Sequence, residues 1–172
     1  MRVPMTRIAK MLIPVILLTL SLSGCMMTPG PQEVHQLSRE TLPEKRVVAF
    51  TKDSRLNGEL AEALVKYGFD VRTSPKKTIS TKELPDGSKV SDTVAFDPPY
   101  GIELEMTRDQ YIVCALTHAP WMNFRLTISN LLERRVVFFL TQLGPDQQCA
   151  MVPTPIDELA KGVAVQWAEL AK

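Results

Sequence analysis

The sequence predicts an α/β (α+β) domain built on a mixed β-sheet, and three observations carry that expectation. The apolar run Val47-Val48-Ala49-Phe50 is followed by a helix-spaced set, Leu56, Leu60, Ala63, Leu64 and Tyr67, and then by Phe69-Asp70-Val71-Arg72. Strand, helix and strand with tight joints form a right-handed crossover that sets two parallel strands side by side. After Gly101, apolar and polar residues alternate with the period of half-buried strands. Ile156, Leu159, Ala160, Val163, Ala164, Trp167, Leu170 and Ala171 then form an apolar stripe at helical spacing. The resulting architecture is an N-terminal strand-helix-strand unit, an antiparallel meander and a C-terminal helix, with both helices on one face of the sheet.

The chain opens with a basic start (Arg2, Arg7, Lys10), an apolar run from Met11 to Leu22, and small residues closing on Cys25. This is the pattern of a secretory signal peptide, 1–24. The run is about a dozen residues, short of the roughly 20 that a membrane-spanning helix needs. Leu22-Ser23-Gly24-Cys25 resembles the lipobox of bacterial lipoproteins, which implies cleavage before Cys25 and acylation, palmitate included, of that cysteine. Met26 follows it, where in Gram-negative lipoproteins an aspartate tends to hold the protein in the inner membrane. The resemblance therefore implies the outer membrane, with the domain in the periplasm. Several acyl chains give lasting anchorage, since each buried methylene is worth about 0.8 kcal/mol.

The full chain carries 20 Lys and Arg against 19 Asp and Glu; removing the signal leaves 17 against 19. No basic surplus remains to displace counterions from nucleic acid or to form a polybasic membrane patch. The remaining chain, about 148 residues, suffices for one domain with a real core. Residues 25–44, with Thr28-Pro29-Gly30-Pro31 and no period, read as a lipidated cysteine and flexible tether spanning roughly 25 Å, and His35 within it is expected to be solvated. The globular domain covers 45–172.

Within the domain, Asp53 or Ser54 is placed to cap the first helix and Gly68 to end it. The stretch at about 75–99 is polar and turns at Pro85-Asp86-Gly87. It reads as a two-stranded arm, with a surface loop as the alternative; neither flank is apolar enough to enter a bilayer as a barrel strand. In the meander Ile102, Leu104 and Met106 share one face, with Glu103 and Glu105 on the other. Arg108-Asp109-Gln110 reads as a turn, Tyr111 to Leu116 as a second strand broken at His118-Ala119-Pro120, and Met122 to Ser129 as a third. The segment to Leu143 fits either a helix or a hairpin turning at Glu133-Arg134; the β-branched and aromatic Val136-Val137-Phe138-Phe139 favours the hairpin. Thr154 is placed to cap the last helix, with Pro155 at its first position and Asp157 three residues after the cap.

Strand order, together with Leu60-Ala61-Glu62-Ala63-Leu64 and Gly68-Phe69-Asp70-Val71, resembles the N-terminal domain of the Tol-system propeller protein and similar domains in the curli-secretion lipoprotein and in lipoproteins that activate peptidoglycan synthases. Cys114, the hairpin, Gly144 and Cys149 also resemble small envelope lipoproteins with a cysteine on each side of such a hairpin. The resemblance implies binding to other envelope proteins, with no catalytic residues to transfer.

The chemistry-bearing residues are few. With Cys25 acylated, Cys114 and Cys149 are a candidate disulfide in an oxidising compartment; the alternative is two buried thiols. No phosphate-cradling glycine loop, Cys-x-x-Cys or His-Glu-x-x-His occurs. A Cys114–His118 thiol–imidazole pair and a Cys114–Cys149–His118 zinc site are weaker alternatives to the disulfide. The expectation is a non-catalytic protein with no metal and no cofactor beyond the covalent lipid. Its partners would be the membrane and an envelope protein, held by the arm (Thr81, Lys89) or the outer sheet face (Glu103, Glu105, Arg125). The alternative is a binding module for a small glycan or lipid fragment lying between sheet and helices.

Overall fold

The computed structural model describes residues 29–83, 88–114, 117–146, 152 and 154–172. Its main sheet has six strands in the order β1-β8-β7-β6-β2-β3. They are β1 (Glu33–Gln36), β2 (Val47–Phe50), β3 (Asp70–Arg72), β6 (Tyr100–Cys114), β7 (Thr117–Asn130) and β8 (Arg135–Pro145). Helix α1 (Asn57–Lys66) joins β2 to β3, which pair in parallel as the crossover rule requires. β2 also runs parallel to β6, while β6, β7 and β8 are antiparallel, so the sheet is mixed.

Alternation sorts the sheet into two faces. Ile102, Leu104, Phe124, Leu126, Ile128, Phe138 and Leu140 are buried on one of them. Leu60 and Leu64 of α1 and Leu159, Val163 and Trp167 of α2 (Ile156–Leu170) close the same core. Trp167 is its hub. Its ring meets Phe69 and Tyr100 edge-on at 5.4 and 5.2 Å, and its indole N–H donates to the Pro43 carbonyl at 2.8 Å.

α1 ends where its glycine dictates. Gly68 sits at φ +82°. The Gly68 and Phe69 amides return to the Val65 and Leu64 carbonyls, the paired closure that a left-handed residue after the helix allows. The expected side-chain caps are not used. Leu56 and Pro155 occupy the N-cap positions without a capping side chain. Ser54 instead supports the preceding turn, accepting from the Leu56 amide, and the Thr154 hydroxyl donates to Glu59 at 2.5 Å, linking the start of α2 to α1.

The meander has three long strands where four short ones were predicted. Arg108-Asp109-Gln110 does not turn; the ladder absorbs one extra residue there as a bulge and continues. Pro120 does not break β7 either. Its carbonyl accepts from Asp146 on the β8 side, just where β8 has ended at Pro145, so its missing N–H deprives no ladder partner. The hairpin reading of Val136–Leu140 holds, with Arg134 at φ 52° in the turn. The polar stretch is a two-stranded arm, β4 (Lys76–Glu83) with β5 (Lys89–Asp97), forming a sheet of its own.

The largest departure concerns the expected tether. From Gly30 onward that stretch is bound along the domain. β1 pairs antiparallel with β8, and the bulge in β8 lets the Val137 carbonyl accept from both Leu37 and Ser38. Leu42 is 2% exposed and donates its amide to the Leu170 carbonyl. The Glu40 carboxylate accepts from the Tyr100 hydroxyl and the Asn130 amide, both at 2.7 Å, and from Arg135 at 3.2 Å.

Burial and the adjacent Glu40 carboxylate push the Tyr100 hydroxyl far above its usual pKa of 10.0. The neutral phenol is therefore favoured by folding, a contribution fully present below pH 10.0 and lost as pH rises beyond it. Tyr100→Phe is expected to lower unfolding free energy at pH 7 by about 1.5 kcal/mol, the scale of a hydrogen bond to a charged group. In urea titrations the gap between parent and variant narrows above pH 10, because only the parent carries this titration.

Candidate functional site

The face of the sheet turned away from the helices carries an ordered row of polar and aromatic side chains. Register places Glu103 opposite Thr127, Glu105 opposite Arg125, Thr127 opposite Phe139, and Phe139 opposite His35. Four strands thus contribute to one surface. The structure brings together three of the predicted contact residues, Glu103, Glu105 and Arg125.

Two groups on this surface were not legible beforehand. Lys52, just past the end of β2, reaches Glu103 at 3.0 Å and Glu105 at 3.1 Å, and these two carboxylates raise its pKa. Phe139 stands between its neighbours on either side. His35 of β1 stacks on it at 4.5 Å with a 16° interplanar angle, and the Arg125 guanidinium lies 4.0 Å from its centroid. His35 is therefore a member of the face. The Phe139 pattern was visible in sequence, but its contact with His35 needed the pairing of β1.

The other predicted contact residues lie elsewhere. Thr81 is exposed on β4, opposite Ser91 beside a bulge, and the backbone of Lys89 pairs with Glu83. They belong to the arm, whose sheet is separate from the open face. Cys25 and Cys149 lie outside the described residues. Cys114 and His118 are described only as backbone, in register with Thr117 and Val113, so the disulfide and its three alternatives also fall outside.

A second concave surface was missed because its wall was read as tether. A groove of about 580 Å³ runs between β1 and α2, with Gln32, Val34, Gln142, Glu158, Lys161 and Val165 among its lining. Gln142, 3% exposed, donates to the Gly30 carbonyl and to the Glu158 carboxylate, while its side-chain oxygen is unpaired. Gln32 closes on α2 at Gly162: its amide donates to the Glu158 carbonyl, and its oxygen occupies the space a Cβ on Gly162 would need.

Among the described residues no three His, Cys, Asp or Glu side chains converge as a metal site, and no helix is long and apolar enough to cross a membrane. The fold is α+β, with one face of the mixed sheet covered by helices and the other carrying partly exposed polar side chains. No family model matches the chain, and no curated protein matches it. Among solved structures, two PelC dodecamers from Paraburkholderia phytofirmans, one a point variant, align with TM-scores of 0.40 and 0.39 at 11% and 10% identity. Each alignment covers 82% of this chain and 97% of that one. Likeness at that level transfers neither activity nor assembly.

Gly162→Ala is expected to displace Gln32 while improving helix propensity by up to about 1 kcal/mol. Urea stability then changes by less than about 1 kcal/mol. Cleavage between Pro29 and Leu37 by a broad-specificity protease rises several-fold, a split readable by denaturation and limited proteolysis on one sample.

Proposed function

We propose that the protein is a non-catalytic lipoprotein held in the outer membrane by acylated Cys25, serving as an accessory or structural subunit that binds another cell-envelope protein. The observation that supports this is the open sheet face. A four-strand surface with paired charges and one aromatic centre suits a protein partner better than a free anion. Glu103, Glu105 and Lys52 already satisfy one another, and Arg125 is spread over Phe139. Partners matching such a face present mixed charge around an apolar or planar group, because rim charges chiefly set register and encounter rate. The arm, with Thr81 and Lys89, is the second proposed contact, on a sheet separate from that face.

A second reading keeps the groove between β1 and α2 as a site for a small glycan or lipid fragment. Its support is the unpaired Gln142 oxygen at the groove, a buried acceptor suited to a hydroxyl or amide donor. The space between sheet and helices, where such a ligand was first expected, is filled by Trp167, Phe124 and Phe138.

In-cell photo-crosslinking from Arg125, Thr81 and Lys89, followed by mass spectrometry, tests the subunit reading. One dominant envelope protein is expected from Arg125, with capture falling at least tenfold in a Glu105→Lys background, a loss of about 1.4 kcal/mol. A capture profile from Arg125 identical to one from exposed Leu132 would contradict it.

A further inference from the structure

The main sheet has two edges, and they are built differently. β3 closes one with three residues, of which Asp70 and Arg72 pair with each other. β1 forms the other, and all four of its residues are exposed. The Leu37 amide donates to the Val137 carbonyl one step beyond the row of Gln36 and Phe138. Backbone groups alternate in direction along an antiparallel ladder, so Glu33 and His35 turn theirs to β8, while Val34 and Gln36 turn their N–H and C=O groups outward. Those outward groups have no partner among the described residues. Proline and lysine, which commonly blunt such an edge, are absent from β1.

Side chains divide along the same strand. Glu33 and His35 lie on the open face, 3.5 Å apart, with His35 held by its stack on Phe139. Val34 points to the opposite face and lines the groove with Val165 of α2; the two are 46% and 53% exposed. An antiparallel copy of β1, related by a two-fold axis through the Val34 row, meets this edge with matched groups. Val34 exchanges both backbone hydrogen bonds with Val34 of the second copy. Glu33 stands opposite the second copy's His35, and His35 opposite its Glu33. An axis through the His35 row would instead set the two imidazoles against each other, and one through Glu33 would oppose two carboxylates. The Val34 axis alone gives each carboxylate an imidazole N–H donor across the interface, in the non-hydrogen-bonded rows where side chains approach closest.

We propose that β1 is a dimer edge: two copies of the chain pair through it antiparallel, joining their six-stranded sheets into one continuous sheet. Such a closed two-fold contact uses the same surface on both copies. It gives partners to the outward backbone groups of Val34 and Gln36 and places the two Val34 side chains against each other at the mouth of the groove. It also sets the two open faces side by side, with the Phe139–His35 stack of each copy next to the axis. The inference is independent of the lipid anchor and of the envelope partner, and adds a second copy of this chain to both.

The test uses the full chain at micromolar concentration in excess detergent micelles, with ordinary and isotopically heavy protein mixed in equal amounts. A photo-crosslinking amino acid replaces Gln36 or, as a control, the exposed Leu132, and peptide pairs of mixed isotope report links between copies. Links from position 36 centred on Gln32 of the second copy, several-fold more abundant than any from position 132, are the expected result. Val34→Pro removes an outward N–H that a single copy does not use and is expected to abolish these links. Glu33→Lys, which opposes lysine to imidazole in both copies, is expected to reduce them several-fold. Links from position 36 no more abundant than from position 132, or centred on another register, would overturn the proposal. So would undiminished links in either variant at an unchanged urea midpoint.

Discussion

The carboxylate of Glu40 ties the segment before β2 to three neighbouring strand ends of the sheet. Its side chain is only 13% exposed, and it takes donors from the first residue of β6, the last of β7 and the first of β8. A desolvated carboxylate is tolerable only when its lone pairs are filled, so these strand ends and the segment before β2 are mutually dependent. With Glu40 seated, Leu42 and Pro43 reach the end of α2 through the Leu170 carbonyl and the Trp167 indole. β1 runs antiparallel along β8. The groove, the contact of His35 with Phe139 and the point where Gly30 is fixed follow from that one attachment.

The strand-helix-strand unit, the hairpin at Glu133-Arg134, the arm and both helices were legible because periodicity and breakers act over a few residues. Gly68 is the plainest case: its left-handed conformation closes α1 through two carbonyls of the last turn. What was illegible depended on partners distant in sequence. Glu33-Val34-His35-Gln36 has no strand signature of its own, and only the edge of β8, about a hundred residues later, makes it a strand. Arg108-Asp109-Gln110 and Pro120 carry turn and breaker residues, yet a bulge and the end of β8 accommodate them. The cap residues failed similarly: Thr154 is a good N-cap by type, but Glu59 on the neighbouring helix takes its hydroxyl.

For the site, alternation alone put Glu103, Glu105 and Arg125 on one surface, since period two is decided locally. The residues that organise that surface were hidden: Lys52 lies in a connection, and His35 on a strand made only by pairing. The architecture separates two surfaces. The face carries paired charge and the Phe139 ring, while the groove lies between β1 and α2. The arm leaves the chain after β3, at the edge of the sheet opposite β1, about 24 Å away across five strand spacings. A partner contacting both arm and face would therefore engage the breadth of the sheet and leave the corner at Gly30 free.

The central claim is that the segment from Gly30 to Pro43 belongs to the domain. Native-state amide hydrogen exchange of the protein measures this most directly, through the amides of His35, Leu37 and Leu42 beside those of β8. The account predicts that these three are protected within about tenfold of Phe139 and Leu140, as members of one cooperative unit. Exchange of all three at the rate of an unstructured peptide, with β8 still protected, would contradict it.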